Sequence, residues 1–234
     1  KDEHFISLLN TIRNNSAGEK ELEILNQRLD PAFESKDDYY IHLTTTNQMA
    51  KDLNERLLEK QPGKLRQFEG ELEGEFDIRQ LPTEMVLELK VGAQIMMLNN
   101  DSRRRWVNGT MGKIVSLKKD EIEVELQNGQ TASVEPFTWE IFHFSFNRQT
   151  NQLDSEVTAS FTQFPLKLAW AITIHKSQGK TFDKVIIDIG NGTFAHGQMY
   201  VALSRCRSLE GMVLKKPIKK GHIFMDYRVV NFVT

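Results

Sequence analysis

The hydrophobic positions at the start of the chain repeat with a helical period. Phe5, Leu8, Leu9 and Ile12 fall at positions i, i+3, i+4 and i+7, which predicts an amphipathic helix. A weaker pattern of the same kind covers residues 22–29 within a polar stretch. The amino-terminal part of the chain is therefore predicted to be helical.

A buried strand and another helix are predicted next. The segment YYIHLTTTN, residues 39–47, is apolar before it becomes rich in hydroxyl groups, which is typical of a buried strand that ends in a turn. Met49, Leu53 and Leu57 then recur every four residues. This spacing predicts a helix to about residue 59, before Gln-Pro-Gly at 61–63.

The middle of the chain has a different pattern. The acidic run 69–77 predicts an exposed edge strand or loop, and residues 91–164 contain short β-rich runs at the spacing of a small barrel or meander. Asn-Gly at 128–129 lies between two of these runs and predicts a type I′ hairpin turn. Asn-Gly at 108–109 is a second candidate turn.

From residue 166 the pattern alternates between helix and strand again. The predicted elements are a helix (LKLAWAITIHKSQG, 166–179), a strand (DKVIIDIG, 183–190), a helix (GQMYVALSRCR, 197–207), a strand (GMVLKK, 211–216) and a closing helix (DYRVVNFV, 226–233). Helices interleaved with apolar strands predict a mainly parallel α/β sheet. We therefore predict one α/β domain, residues 1–65 and 160–234, interrupted by an all-β domain, residues 66–159.

Composition and charge narrow the class of protein. The formal net charge of −2 and the sequence pI of about 6.4 exclude a polycationic nucleic-acid binder, so any contact with DNA needs a local patch. No apolar run approaches the roughly 18 residues of a membrane span, and we expect no membrane partner. The single cysteine, Cys206, excludes an internal disulfide and fits a reducing cytoplasm. The chain opens on Lys1 without a signal peptide, and we expect it to be a fragment of a longer protein.

The densest run of polar groups is TIHKSQGKT, residues 173–181. Such a segment before a strand can present side-chain donors and backbone N–H groups to phosphates, and Gly179 would let the backbone approach closely. The alternative interpretation is a polar cap at the end of a core helix.

The sequence Gly179-Lys180-Thr181 is not the phosphate-binding loop of an ATPase. That loop needs a glycine at position 174, where this chain has Ile174. GxxxxGK[ST] occurs nowhere in the sequence, and no apolar strand ends in the paired acids that hold Mg²⁺ in such enzymes. We therefore expect the chain alone not to hydrolyse ATP.

Two arginines lie at the end of the second predicted helix of this region. Arg205 and Arg207 project near its carboxyl end, where an arginine can simply complement the helix dipole. The functional alternative is an arginine finger, because a planar guanidinium can bind a γ-phosphate and stabilise transition-state charge. A finger acts on a nucleotide held by another domain, as a chain without its own phosphate-binding loop would require.

These segments resemble the motifs of superfamily 1 helicases, specifically the Pif/RecD-like branch. LAWAITIHKSQGKTFDKVIID and GQMYVALSRCR look like motifs V and VI, and YIHLTTTN resembles motif IV. LKVGAQIMMLNND and VNGTMGKIV are similar to the β domain inserted in this branch, and FISLLNTIR is similar to the helix that leads out of the first motor domain. The resemblance covers nearly the whole chain. It implies an α/β RecA-like second motor domain, of the P-loop NTPase type without a Walker A motif, interrupted by an all-β SH3-like barrel.

The resemblance also implies roles for individual residues. The arginine finger would be Arg205, and the other residues facing the nucleotide would be Gln178, Gly179 and Lys180. The residues facing DNA would be Thr45, Asn47, Asn108, Thr173, His175 and Lys176. The wider superfamily has Gly-Leu-Glu in place of Gly179-Lys180-Thr181, so the carboxylate that contacts ribose there is absent here.

The implied activity is ATP-driven movement along single-stranded DNA from 5′ to 3′, by a monomer. ATP and Mg²⁺ would be bound mainly by an N-terminal RecA-like domain outside this sequence, and that domain would be the partner of this one. Two alternatives stay open. One is a stand-alone module that binds single-stranded DNA, which would have useful DNA affinity in isolation. The other is a degenerate regulatory domain that binds only protein, whose activities would not change when His175 and Lys176 are replaced.

Weaker signals lie outside these motifs. The run Arg103-Arg104-Arg105-Trp106 could contact DNA or could be solvated arginines beside a core tryptophan. Lysines 215, 216, 219 and 220 are interpreted mainly as a solvated loop, with contact to nucleic acid as the alternative. The histidines lack the spacing of metal ligands, and no metal site is predicted.

Overall fold

Two units make up the chain in the computed structural model, which describes residues 3–35, 39–74, 81–147, 151–192 and 195–224. The first unit comprises residues 1–57 and 170–234, and the second comprises residues 58–169.

The described elements are as follows. The helices are α1 (Glu3–Arg13), α2 (Glu19–Asn26), α3 (Asn47–Lys60) and α4 (Gln198–Ser204), with short 3₁₀ helices at His175–Ser177 and Lys220–His222. The strands are β1 (Ile41–Thr44), β2 (Arg66–Glu69), β3 (Glu71–Gly74), β4 (Val86–Leu89), β5 (Gln94–Met97), β6 (Met111–Leu117), β7 (Ile122–Leu126), β8 (Thr131–Val134), β9 (Phe137–Asn147), β10 (Gln152–Gln163), β11 (Leu166–Leu168), β12 (Ala171–Thr173), β13 (Val185–Asp188) and β14 (Met212–Leu214). None of the described helices is long and apolar enough to cross a membrane.

The first unit is built on a parallel sheet in the order β12-β1-β13-β14. Its strands are short and almost wholly apolar, as expected of parallel strands buried on both faces. The helical face predicted for α1 is confirmed, because Phe5, Leu8, Leu9 and Ile12 are all buried. The helix α1 packs against α4. The α/β prediction with a parallel sheet is therefore confirmed for this unit.

The helix predicted over residues 166–179 is wrong. Residues 166–168 form β11, residues 171–173 form β12, and only the 3₁₀ helix 175–177 is helical. The register pairs Ala171 with His42 and Thr173 with Thr44, so this segment completes the edge of the parallel sheet. A short apolar run fits a buried strand and a buried helix equally well by periodicity. Pairing with β1 decides between them.

The other helices agree with the pattern to within a few residues. The segment predicted over 22–29 is helical over Glu19–Asn26, and the one predicted over 197–207 is helical over Gln198–Ser204. The closing helix predicted at 226–233 lies outside the described residues.

Beyond the end of α3, the described residues of the second unit form strands and connecting turns. An antiparallel sheet has the order β11-β5-β6-β7-β8, a second has the order β3-β10-β9, and β2 pairs with β4. The predicted β-rich region is thus confirmed, but β9 and β10, with 11 and 12 residues, are longer than the short strands that the pattern predicted. The SH3-like barrel implied by the resemblance stays a prediction.

The borders between the units differ from the predicted ones. They fall at 57/58 and 169/170, whereas the pattern predicted 65/66 and 159/160. At the second border, Leu166 pairs with Met97 in the β sheet, while Ala171 pairs with His42 in the parallel sheet. The chain therefore crosses from one unit to the other between these two pairings.

The hairpin between β7 and β8 forms, but its turn is not type I′. That turn requires positive φ at both central residues, and at this position only Gly129 has it (φ +81°). The N–H of Gly129 donates to the carbonyl of Leu126 (2.8 Å), and Leu126 N–H donates to the carbonyl of Gln130 (2.8 Å). These bonds describe a three-residue loop with glycine in the left-handed position, the next most common hairpin connection.

Three of the four lysines in the predicted solvated loop donate hydrogen bonds to the backbone. The ammonium groups of Lys215, Lys216 and Lys220 donate to backbone carbonyls of the first unit, including those of Phe33, Gly190 and Ala17 respectively. Lys216, Lys219 and Lys220 are nevertheless exposed, as predicted for a solvated loop, and only Lys215 is half-buried.

One arginine of the run in the second unit, Arg105, is held in structural contacts. Arg105 makes two bonds to the carboxylate of Asp101, at 2.7 and 2.9 Å, and its guanidinium lies 4.5 Å from the ring centre of buried Trp106. The hydrogen bonds from Arg105 lower the pKa of Asp101 to about 2. Of the run, only Arg103 and Arg104 are exposed.

His42 makes the stability of the first unit depend on pH. Burial, with smaller effects from Lys215 and Arg56, lowers the pKa of His42 from 6.5 to about 4. Between these values the unfolded chain takes up a proton that the folded chain does not, so the free energy of unfolding falls as the pH falls from 6.5 to 4. At about 1.36 kcal/mol per pKa unit, the loss is up to roughly 3 kcal/mol.

Urea unfolding followed at several pH values measures this effect. In His42→Gln the free energy of unfolding should change less between pH 6.5 and 4. A smaller pH dependence should remain, because burial also lowers the pKa of His222. An unchanged pH dependence in His42→Gln would contradict the assignment to His42.

Candidate nucleic-acid and nucleotide site

A polar cleft lies where the chain leaves strands β1 and β12. Carboxyl ends of neighbouring parallel strands meet at one edge of a sheet, and this edge is the usual ligand site of α/β proteins. The cleft has a volume of about 480 Å³. It is lined by Thr45, Thr46, Asn47, Thr173, Ile174, His175, Lys176, Gln178, Ala195, His196, Gln198 and Val201.

The hydroxyl-rich end of β1 positions the first side of the cleft. Thr46 caps α3, because its hydroxyl accepts a hydrogen bond from the N–H of Met49 (3.2 Å). Thr44 turns inward and donates to the carbonyl of Thr46 (3.1 Å). Thr45 is buried with its hydroxyl 3.6 Å from the sulfur of Met49, and Asn47 is exposed at the first turn of the helix. The run TTT thus supplies one core contact, one cleft wall and one helix cap.

The end of β12 positions the opposite side. The hydroxyl of buried Thr173 accepts a hydrogen bond from the N–H of Lys176 (3.2 Å), which starts the 3₁₀ helix. Ser177 is fully buried and donates to the carbonyl of Ile174 (2.6 Å). His175 and Lys176 remain exposed. Thr173 and Ser177 thus anchor the segment, while the imidazole of His175 and the ammonium of Lys176 line the cleft.

A type II turn follows at Ser177–Lys180. The N–H of Lys180 donates to the carbonyl of Ser177 (3.0 Å), Gln178 has φ −56° and ψ 137°, and Gly179 has φ +76°. The third position of this turn requires positive φ, so glycine is the residue that fits without strain. The interpretation of this segment as the cap of a core helix is therefore wrong.

Arg205 is fastened to this turn. Its Nη1 donates to the carbonyls of Lys180 (3.0 Å) and Ser177 (3.4 Å), and its Nε donates to that of Val201 (3.0 Å). Its Nη2 donates to the hydroxyl of Ser204 (2.9 Å). Among the described residues no carboxylate lies within ion-pair distance of the half-buried guanidinium, so its charge is held by dipoles alone.

The backbone of Arg205 is tied to the same segment. Its carbonyl accepts a hydrogen bond from the N–H of Phe182 (2.8 Å), and the N–H of Arg207 donates to the carbonyl of Phe182 (3.1 Å). Beside it, burial lowers the pKa of Lys180. Arg205 is thus bonded to the backbone of Lys180, next to the exposed Gly179.

The structure brings most of the predicted site residues into one unit. Those that line the cleft are Thr45, Asn47, Thr173, His175, Lys176 and Gln178. Gly179, Lys180 and Arg205 form the adjoining turn and clamp. Gln178 was predicted on the nucleotide side and lines the cleft as well.

Asn108 belongs to the second unit. It follows β5, where its Nδ2 donates to the carbonyl of Leu98 (3.1 Å) and its N–H donates to Oδ1 of Asn100 (2.9 Å). These bonds shape the turn that ends at Thr110. Asn108 therefore stays a prediction as a DNA contact.

The sequence pattern missed part of the cleft lining. Thr46, His196, Gln198 and Val201 line it and were not predicted as site residues. His196 is exposed and packs edge-on against Phe224, with ring centres 5.2 Å apart. The hydroxyl run TTT was the signal for Thr46. Gln198 is buried at the start of α4 and gave no separate signal.

Replacing Gly179 by alanine tests the turn. A methyl group there meets no atom within 4 Å, so the expected loss of about 1–2 kcal/mol in the free energy of unfolding comes from left-handed φ alone. Gly221→Ala is the matched control, because Gly221 also has open space around it and lacks positive φ. Equal urea midpoints for the two variants would contradict the assignment of a type II turn.

Sequence and structure comparisons give the same family for both units. Residues 168–210 match the model described as the UvrD-like helicase C-terminal domain, and residues 71–117 match the model of the DNA helicase Pif1 2B domain. The chain is 35% identical over 236 residues to the ATP-dependent DNA helicase Pif1 of Bdellovibrio bacteriovorus, covering 99% of this chain and 51% of that protein.

Solved structures agree. The unliganded Pif1 from Bacteroides has a TM-score of 0.89 and 39% identity, over 100% of this chain and 54% of that one. The Bacteroides Pif1 helicase in complex with ADP-AlF₃ and single-stranded DNA has a TM-score of 0.77 and 39% identity, over 100% and 53%. The chain thus spans about half the length of these proteins. It belongs to the Pif1 helicase family.

Proposed function

We propose that this chain is the second motor half of an ATP-dependent DNA helicase that moves along single-stranded DNA from 5′ to 3′. One observation carries the proposal. The segment Thr173–Lys180 lines the polar cleft at its start and clamps Arg205 at its end. A nucleotide that contacted Arg205 would therefore be connected to the cleft lining through this one short segment.

The cleft suits the backbone of single-stranded DNA. Its lining offers hydroxyl, amide, imidazole and ammonium groups, through residues such as Thr46, Asn47, His175 and Lys176. These groups bind sugar and phosphate without reading base sequence. A translocase needs this tolerance because it must hold every sequence that it passes.

ATP and Mg²⁺ do not fit this chain by itself. The sequence lacks a phosphate-binding loop, and the described residues contain no cluster of three His, Cys, Asp or Glu side chains that could hold a metal ion. The cations Arg205 and Lys180 can contact phosphate oxygens presented from outside. The nucleotide and its Mg²⁺ would therefore be held by an N-terminal RecA-like domain, with Arg205 as the finger on the γ-phosphate.

Closure around ATP would couple hydrolysis to the DNA grip. Among the described residues the guanidinium of Arg205 contacts only carbonyl and hydroxyl oxygens, so a γ-phosphate would be a better partner than any of these groups. A shift of Arg205 toward phosphate would pull on the carbonyls of Ser177 and Lys180. Because His175 and Lys176 directly precede that turn, the shift would reach the DNA-facing groups.

The relatives support this combination of ligands. The Bacteroides structure with ADP-AlF₃ and single-stranded DNA contains both a nucleotide analogue and the strand. Its likeness to this chain extends over both units. On the motif resemblance we also propose a second RecA-like domain in the first unit, an SH3-like insertion in the second, and action as a monomer.

Fluorescence anisotropy with labelled oligo-dT tests the DNA role in the chain alone and when fused to an ATP-binding half. The motor proposal predicts binding that depends on His175 and Lys176 and ATP hydrolysis in the fusion. DNA binding without hydrolysis in the fusion would favour the stand-alone module. Activities that do not change when both residues are replaced would favour the regulatory domain.

A further inference from the structure

A two-stranded ribbon in the second unit exposes hydrophobic side chains. Strands β9 and β10 pair along their whole length, but β3 covers only residues 159–162 of β10. Beyond that cover, Phe142, Phe146, Leu153 and Val157 are 44%, 59%, 65% and 46% exposed. These side chains present on the order of 300–400 Å² of apolar surface, the size of patch that marks interaction sites.

The four side chains lie on one face. Phe142 pairs with Val157 and Phe146 pairs with Leu153, so each pair stands directly opposite across the ribbon. Side chains two residues apart on a strand share a face, which places Glu140 beside Phe142. The bulge between Val157 and Ala159 then brings Ser160 opposite Glu140 on this same face.

The covered end of the same face is acidic. A groove of about 330 Å³ is lined by Glu71, Glu73, Thr138, Glu140, Val157, Ser160 and Thr162. Val157 belongs to both regions, so the acidic groove runs directly into the apolar patch. We call the combined surface the ribbon face: Phe142, Phe146, Leu153 and Val157 with Glu71, Glu73 and Glu140.

The charge of the ribbon face is not compensated within the described part of the chain. No lysine or arginine among the described residues makes an ion pair with Glu71, Glu73 or Glu140. Neither β9 nor β10 contains a lysine or arginine. The only one between 137 and 163 is Arg148, in the connecting turn and outside the described residues. Within the described part of the chain, therefore, no cation pairs with these three carboxylates, and a basic partner would supply one.

We propose that the ribbon face binds a protein segment that carries hydrophobic side chains next to lysine or arginine. Burying the patch would stabilise a ribbon that is marginal in water as two strands alone. The basic side chains would lie over the three glutamates. This binding site is independent of the proposed motor function, since it uses none of the cleft or clamp residues.

Charge argues against the other occupants. Aromatic side chains can stack on bases, but the phosphates of a nucleic acid would lie against three carboxylates without a cation between them. A symmetric contact with a second copy would bring the same carboxylates together. A protein segment with hydrophobic and basic side chains can cover the apolar patch and also pair with the carboxylates of the acidic groove.

Synthetic peptides of about sixteen residues provide the probe. Each has a half rich in leucine, phenylalanine and valine and a half rich in lysine, in several permutations, and each has a twin with glutamate in place of lysine. Anisotropy of the labelled peptides with the whole chain is expected to show salt-dependent binding of some lysine peptides and none of their twins.

Variants then locate the site. Val157→Ser, and separately Glu71→Gln with Glu73→Gln and Glu140→Gln, should each weaken binding about tenfold or more. Val115→Ser is the matched control, because Val115 is 45% exposed on β6, outside the ribbon face. Its affinity should be unchanged, and all the altered side chains are exposed enough for folding to persist.

Three results would overturn the proposal. The first is equal binding of the glutamate twins or binding that neither variant weakens. The second is oligo-dT affinity that Val157→Ser lowers, which would assign the ribbon face to nucleic acid. The third is self-association of the chain in sedimentation that Val157→Ser abolishes, which would assign it to a second copy.

Discussion

Arg205→Ala is expected to lower the turnover of ATP by about a thousandfold or more when this chain is fused to an ATP-binding half, because a finger contributes on that scale. The loss should appear in kcat, since the guanidinium acts on charge that develops in the transition state. Steady-state ATPase assays in the presence of oligo-dT measure it. Arg205→Lys should recover little, because an ammonium cannot keep the fork of contacts to Val201, Lys180 and Ser204.

Arg207→Ala is the matched control for this variant. Arg207 lies two residues further on and makes an exposed ion pair with Asp183 (2.8 Å), with 65% of its side chain accessible. Its replacement should leave kcat within about twofold, since exposed pairs contribute little. Equal loss in the two variants would show that Arg205 matters through the local fold alone, and urea unfolding of both separates that outcome from a catalytic one.

Replacing His175 and Lys176 together by alanine should weaken the binding of single-stranded DNA about ten- to a hundredfold. A stacked base contributes about 1–3 kcal/mol, and the ammonium adds a phosphate contact. Both side chains are exposed, so the fold should persist. Anisotropy titrations with labelled oligo-dT at several salt concentrations measure the affinity, and Lys176→Ala alone should reduce the salt slope by about 0.7.

Lys20→Ala serves as the control for the DNA measurement. Lys20 is an exposed lysine on α2 of the same unit and does not line the cleft. Its loss changes the net charge by the same amount as Lys176→Ala. If both lysine variants lowered affinity equally, the DNA contact would be a general effect of charge rather than a property of the cleft.

The hydrophobic pattern predicted an α/β domain interrupted by a β domain because the α/β and β segments each have a strong periodic signal. The face of α1 followed from four apolar positions, and β13 followed from a continuous apolar run between polar flanks. The segment 166–179 failed for a physical reason. Its strand β12 is only three residues long, and its identity depends on pairing with His42 and Thr44, more than a hundred residues earlier.

The candidate site was predictable in residue type but not in geometry. Motif resemblance singled out Arg205 and Lys180, yet the bonds from Arg205 to the carbonyls of Ser177 and Lys180 depend on a fold that brings α4 against the turn. Similarly, a run of three threonines cannot show which one caps the helix. The bond from Met49 N–H identifies Thr46.

The hydrogen bonds of three lysines could not be predicted from the sequence. Lys215, Lys216 and Lys220 stand beside Pro217 in a sequence that is typical of a solvated loop. Their partners are backbone carbonyls of Phe33, Gly190 and Ala17, which no side-chain pattern marks. Carbonyls left over at the ends of elements need donors, and long flexible ammonium groups supply them.

The most direct measurement of the central claim is ATP hydrolysis by this chain alone and by its fusion to the part of the Bacteroides Pif1 that it does not match. We predict no hydrolysis by the chain alone, DNA-stimulated hydrolysis by the fusion, and its loss in the Arg205→Ala fusion. Hydrolysis by the chain alone, or a fusion that keeps its turnover in Arg205→Ala, would contradict the claim that this chain supplies the arginine finger to a nucleotide held elsewhere.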